Sequence, residues 1–190
     1  MRVLVLSEID ERASVLREGL VHAGHEVVAH LSSALALTQA AAELQPELIV
    51  IDAESPTRDM LAELAILSGD RPRPIVMFAS DAERGTIREA VRAGVTAYIV
   101  DGLERDRIKP IVDVAIARFE NFQGLRSQLA EAQSKLSERK LIERAKGLIM
   151  QARKVSEEEA YASIRQLAMS RGKRLVDIAQ QIIDSADLLT

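Results

Sequence analysis

The sequence predicts two architectures in series: a doubly wound α/β domain on a five-stranded parallel sheet, then an all-α segment reached through one long helix. Three observations carry this reading. Short apolar runs alternate with helix-period segments five times before residue 118. Two of those runs, LIVI and IVMF, are apolar throughout and lie beside Pro46 and Pro74, as strands covered on both faces require. From Asp106 onward the apolar residues step by three and four.

Taken in order, strands are expected at Val3–Leu6, Val27–Ala29, Leu48–Ile51, Ile75–Phe78 and Ala97–Val100. Helices fall between them at Glu11–His22, Ser33–Leu44, Arg58–Leu67 and Glu83–Ala93. SEIDER follows the first strand where a nucleotide-binding sheet would carry a Gly-rich phosphate loop, which excludes a nucleotide-dependent oxidoreductase. Chemistry in such a sheet gathers at the carboxyl ends of the strands. Here those ends read Ser7-Glu8, Asp52, Ala79-Ser80 and Asp101.

Asp106 to Arg139 reads as one helix. Ile111, Val114, Ala115 and Arg118 serve the sheet domain; Phe122, Leu125, Leu129, Ala132 and Leu136 then form a seam of little more than two heptads. Such a short seam fits either a parallel homodimer or the apolar stripe of an intramolecular helix. Three amphipathic helices of about 14 residues follow, the first on Leu141, Ile142, Ala145, Leu148 and Ile149. Ser156 and Glu159 form a capping box for the second, and Gly172 ends it. The third runs on Leu175, Ile178, Ala179, Ile182 and Ile183. The expected boundaries are 1–118 for the α/β domain, 119–138 for a coiled-coil linker and 139–190 for the helical domain.

At 190 residues and 47% hydrophobic, the chain can bury one good core and a smaller second one. It has no cysteine, hence no disulfide framework or thiolate metal site, and a cytoplasmic protein is expected. The first six residues are too short for a signal, and no run approaches a membrane span. His22, His25 and His30 are expected to be exposed turn residues rather than a metal site. Residues 1–120 carry a net −7 and residues 121–190 a net +3, with +6 concentrated in 139–174. An acidic front half joined to a basic rear segment suggests a regulatory domain and an anion-binding one.

The first helix of the rear segment has an unusual far side. Lys146, Gly147, Met150 and Arg153 fall outside its apolar sector. A mid-helix Gly costs about 1 kcal/mol against Ala, so a bare backbone between cations suits close approach by another molecule. The alternative is an incidental Gly and a Met that meets a neighbouring helix.

AKGLIM, then SEEEAY, RQLAM and the spaced Arg174, Asp177 and Ala179 resemble the ANTAR domain, a three-helix RNA-binding module of bacterial antiterminators. That resemblance implies a protein that binds paired leader-RNA hairpins and prevents termination, with Arg144, Lys146, Arg153, Arg171, Lys173 and Arg174 on phosphates and Gly147 and Met150 allowing close approach. The strand ends resemble those of a receiver domain. In receivers Asp52 would be the phosphoacceptor and Glu8 one member of an acidic pair holding Mg²⁺. Ser7 stands where the second acid is expected, Ala79 where a Ser/Thr is, and Asp101 where a Lys is. A neutral hydroxyl is a poor Mg²⁺ ligand and an acid repels phosphoryl oxygens, so a pseudo-receiver without a metal cofactor is expected, switched by a partner.

AYIVDGL followed by VAIARFENFQ looks similar to nitrate-assimilation antiterminators of the NasT type. The resemblance implies control of nitrate or nitrite assimilation genes and an inhibitory ligand-sensor protein as partner. Two other classes fit the same layout: a DNA-binding response regulator, which would need a short recognition helix for the major groove, and a protein-interaction adaptor without nucleic-acid affinity. An enzyme is not expected, since no nucleophile–base–orienter set is visible.

Overall fold

The computed structural model describes residues 1–187. Its first unit runs to Gln123 and its second begins at Gly124.

In the first unit five parallel strands lie in the order β2-β1-β3-β4-β5. They are β1 (Arg2–Ser7), β2 (Glu26–Leu31), β3 (Leu48–Ala53), β4 (Ile75–Ala79) and β5 (Ala97–Val100). The helices of this unit are α1 (Asp10–His22), α2 (Leu37–Leu44), α3 (Arg58–Asp70), α4 (Arg84–Arg92) and the beginning of α5 (Arg105–Arg153). The central strands are apolar on both faces because both faces are covered. Strand alternation separates two cores. Leu4, Leu6, Ile49, Ile51, Ile75 and Met77 face α2, α3 and α4. Val3, Val5, Leu48, Val50, Val76 and Phe78 face Leu16 and Leu20 of α1 and Ile108, Val112 and Ala115 of α5. Each such side chain contributes about 1.5–3 kcal/mol on burial. Gly19 sets the approach of α1 to α5, for a Cβ there would lie 2.3 Å from Ile108 Cδ1.

The edge strands β2 and β5 are only partly buried, which explains their mixed sequence. Ser33 caps a short 3₁₀ turn, Ala34–Ala36, so α2 starts later than its sequence pattern suggests. His25 departs from the expected exposed turn. Both its ring nitrogens are buried with no hydrogen-bond partner among the described residues. Burial lowers its pKa from the ordinary value of 6.5, with the N-terminal charge acting in the same direction and Asp113 opposing it.

The helix α5 corrects one expectation. The linker and the first helix of the rear segment are a single 49-residue element. The apolar frame changes near Arg139 and Glu143, but a change of frame rotates the buried face without breaking hydrogen bonds. Pro110 lies past the first turn and gives up the hydrogen bond its N–H would make to the carbonyl four residues earlier, yet the helix continues through it and through Gly124 and Gly147.

In the second unit α5 packs with α6 (Glu157–Arg171) and α7 (Leu175–Asp187). Ala145, Ile164, Ala168, Ile178, Ala179 and Ile183 form the buried centre, where the small alanines let helices approach closely. Ser156 Oγ accepts from Glu159 N–H and the Glu159 carboxylate accepts from Ser156 N–H, closing the capping box. Gly172 ends α6 at φ 60°, a left-handed conformation that favours glycine.

Candidate functional site

The strand ends bring Ser7 and Asp52 side by side, because they are register partners in the β1–β3 pair. Asp52 is 3% exposed and Ser7 is fully buried. Ser7 Oγ donates to Asp52 Oδ2 at 3.0 Å. The other partner of Asp52 is a residue the sequence reading missed. Arg12, in the first turn of α1, donates from Nε to Oδ1 and Oδ2 at 3.0 and 2.8 Å and from Nη2 to Oδ1 at 2.5 Å. That hydrogen bonding raises the Arg12 pKa above its ordinary value against the cost of burial, and the charges of Asp52 and Asp101 act in the same direction. Glu8 is exposed.

The family-type Mg²⁺ does not fit these residues. One buried carboxylate already engaged by a guanidinium, one neutral hydroxyl and an exposed Glu8 do not make a preformed hard-oxygen cage. No cluster of three or more metal-binding His, Cys, Asp or Glu side chains occurs among the described residues. Around the site, Ala79 is buried and Ser80 exposed. Asp101 takes a left-handed φ of 47°. The neighbouring loops are tied together: Glu54 O accepts from Ser80 N and Asp81 N, and Ser55 Oγ donates to Asp81 at 2.7 Å.

The second candidate site lies on the rear unit. Gly147 is exposed, with nothing within 4 Å of the position a Cβ would take. Arg153 is exposed on the rim of a groove of about 490 Å³, whose walls include Ile149, Ser163, Gln166, Leu167 and Ser170. Arg171 and Lys173 are exposed at the α6–α7 turn, Arg171 reaching Gln181 at 3.4 Å. Arg144 is exposed on the α5 surface. Arg174 is exposed but held by Asp177 at 3.1 Å and Glu138 at 3.4 Å. Its pKa is raised, first by the hydrogen bond to Asp177 and then by the two acidic charges.

Lys146 is a correction. The helix period places it outside the apolar sector, yet it is only 6% exposed. Its Nζ lies 2.8 Å from Glu143 Oε2 and 2.6 Å from Glu157 Oε1, joining α5 to the first turn of α6. These two hydrogen bonds raise its pKa. The stem is covered while the ammonium is already neutralised by two carboxylates, so Lys146 is a strut between helices. Met150 is half-buried rather than facing solvent. Tyr161 on α6 is 43% exposed. On α5, Phe122, Leu125, Leu129 and Leu136 are each 55–63% exposed.

The model of the ANTAR domain matches residues 130–183. Residues 130–183 are an ANTAR domain. The chain is 27% identical over 184 residues to the transcriptional regulatory protein PdtaR of Mycobacterium tuberculosis strain H37Rv, covering 97% of this chain and 90% of that protein. It is 35% identical over 75 residues to the nitrate regulatory protein of Klebsiella oxytoca, across 40% of this chain and 19% of that one. The sheet domain has the receiver fold. It superposes on the response regulator domain of Thermotoga maritima CheB with a TM-score of 0.53 and 25% identity, covering 64% of this chain and 96% of that one. No helix among the described residues is long and apolar enough to cross a membrane.

Proposed function

We propose that this protein is an RNA-binding transcription antiterminator that holds paired leader-RNA hairpins against termination. The ANTAR domain at 130–183 carries the proposal, and the exposed Arg153, Arg171 and Lys173 and the open space beside Gly147 support it. Splayed bases of RNA loops are the natural target, since the A-form major groove excludes side chains. The groove beside Arg153 offers apolar walls and the polar groups of Ser163, Gln166 and Ser170 to such a base. A parallel homodimer through Phe122, Leu125, Leu129 and Leu136 presents two such domains to two hairpins. The regulated genes serve nitrate or nitrite assimilation, and an inhibitory ligand-sensor protein in the cytoplasm supplies the signal. The partial likeness to a nitrate regulatory protein supports that last step.

Filter binding of a hairpin-bearing leader RNA and of duplex DNA of the same sequence, across a salt series, tests the proposal. RNA is expected to bind more tightly, with the log affinity falling by about 0.7–0.9 per phosphate contact for each decade of salt. Equal or stronger duplex binding would favour the DNA-binding class. Absence of binding to either would favour the adaptor.

A further inference from the structure

We propose that Arg12 is a resident cation of the strand-end site: its guanidinium takes the place beside Asp52 that a receiver-type Mg²⁺ would need, and so closes that carboxylate to metal. The basis is geometric. Both oxygens of a carboxylate that is 3% exposed already accept hydrogen bonds, three from the Arg12 guanidinium and one from Ser7. A guanidinium fork on a carboxylate is both strong and directional, and weaker hydration makes it better suited than an ammonium to a partly buried pair.

The charges of the site have been rearranged rather than simply lost. The resemblance to receivers implies acids after the first strand and a cation after the fifth. In this chain the neutral Ser7 ends β1 where one of the two acids is expected, Glu8 beside it is exposed, Asp101 follows β5, and the cation comes from α1. Asp52 and Asp101 both favour the guanidinium. Arg12 is also well anchored, because Ala13 and Leu16 of the same helix are buried. The tied loops at Glu54, Ser55, Ser80 and Asp81 border the same strand ends. An incoming Mg²⁺ would have to displace a bound cation from Asp52, and beside it would find the neutral Ser7 hydroxyl in place of a second buried carboxylate, with only the exposed Glu8 as a further acid.

The test uses the full chain as wild type, Arg12→Ala, Ser7→Asp/Arg12→Ala, and each with Asp52→Asn. Thermal melting in Mg²⁺ is compared with NaCl of equal ionic strength, and Mn²⁺ binding is followed by water-proton relaxation. The wild type is expected to melt at the same temperature in both salts. Ser7→Asp/Arg12→Ala places two carboxylates together without a cation, so Mg²⁺ should raise its melting temperature and Mn²⁺ should bind at least about tenfold more tightly than to wild type. Arg12→Ala should fall between them, and Asp52→Asn should abolish both gains. A saturable Mg²⁺ response of the wild type that disappears with Asp52→Asn overturns the proposal. So does a double variant, folded by circular dichroism, that binds Mn²⁺ no better than wild type. If the double variant does not fold, Arg12→Ala decides: Mn²⁺ affinity equal to wild type overturns the proposal, and a gain removed by Asp52→Asn supports it.

Discussion

Gly147→Ala separates a structural role for the glycine from a functional one. Gly147 lies inside α5, is exposed, and has open space where a Cβ would go. The substitution therefore adds helix propensity without a clash, about 0.8–1 kcal/mol of stability. In a helical unit of this size that raises the melting temperature by about 4–8 °C. If RNA approaches the bare backbone, the added methyl overpacks that contact at a cost of about 1–3 kcal/mol, which is roughly fivefold to a hundredfold or more in affinity. Gly124 is the control, since it also lies in α5 with nothing within 4 Å of its Cβ position. Gly124→Ala should stabilise similarly and leave RNA binding unchanged. Far-UV circular dichroism melts and filter binding at fixed salt measure both quantities. Gly147→Ala that gains stability and keeps wild-type affinity would show that the glycine is incidental; a loss of stability would refute the reading of its surroundings.

Lys146→Met leaves Glu143 and Glu157 unpaired, so it should lower the melting temperature of the helical unit while leaving the salt slope of RNA binding unchanged. A slope reduced by about 0.7–0.9 would assign Lys146 to a phosphate after all. Leu129→Lys/Leu136→Lys puts like charges at a dimer seam and should yield monomers in analytical ultracentrifugation; an unchanged mass would remove the seam. His25 has a folded pKa lowered by burial, so the unfolded chain binds its proton first. The wild type should lose stability as pH falls below about 6.5 and through the lowered folded value, and His25→Leu should lose less over that window, as read from denaturant midpoints at a series of pH values.

The sheet was legible because burial on two faces leaves an unmistakable trace: LIVI and IVMF could hardly belong anywhere but the middle of a parallel sheet. The receiver departures at Ser7, Ala79 and Asp101 were legible for the same reason, since strand ends follow from strand positions. Arg12 was not. Its role depends on α1 laying its first turn over the end of β3, across 40 residues of sequence, and no local pattern records that. The available signal was a cation four residues beyond Glu8, in a stretch otherwise noted for its acids. Lys146 failed differently. A helical wheel sees one helix, and Lys146 sits at the flank of the apolar sector, one residue or about 100° round from Ala145. Whether a flank is wet or covered depends on the neighbouring helix, and here α6 brings Glu157 to it. Tyr161 shows the converse: an aromatic at helical spacing that the packing of Ala160 and Ile164 leaves outside.

The contacts of Lys146 and Arg174 limit the basic field of the rear segment. The +6 over residues 139–174 suggests a strong field for an RNA backbone, but cations count toward phosphate binding only where no carboxylate already holds them. Lys146 is bracketed by Glu143 and Glu157, and Arg174 by Asp177 and Glu138. Offering either to a phosphate would first cost those contacts and then leave freed carboxylates beside the incoming anion. The exposed cations of the same stretch include Arg139, Lys140, Arg153, Lys154, Arg165, Arg171 and Lys173, and among the residues proposed for phosphate contact Arg153, Arg171 and Lys173 belong to that set. The proposed phosphate contacts therefore fall at two places on the ANTAR unit, the end of α5 and the α6–α7 turn, with the exposed Gly147 on a different face of α5 from Arg153.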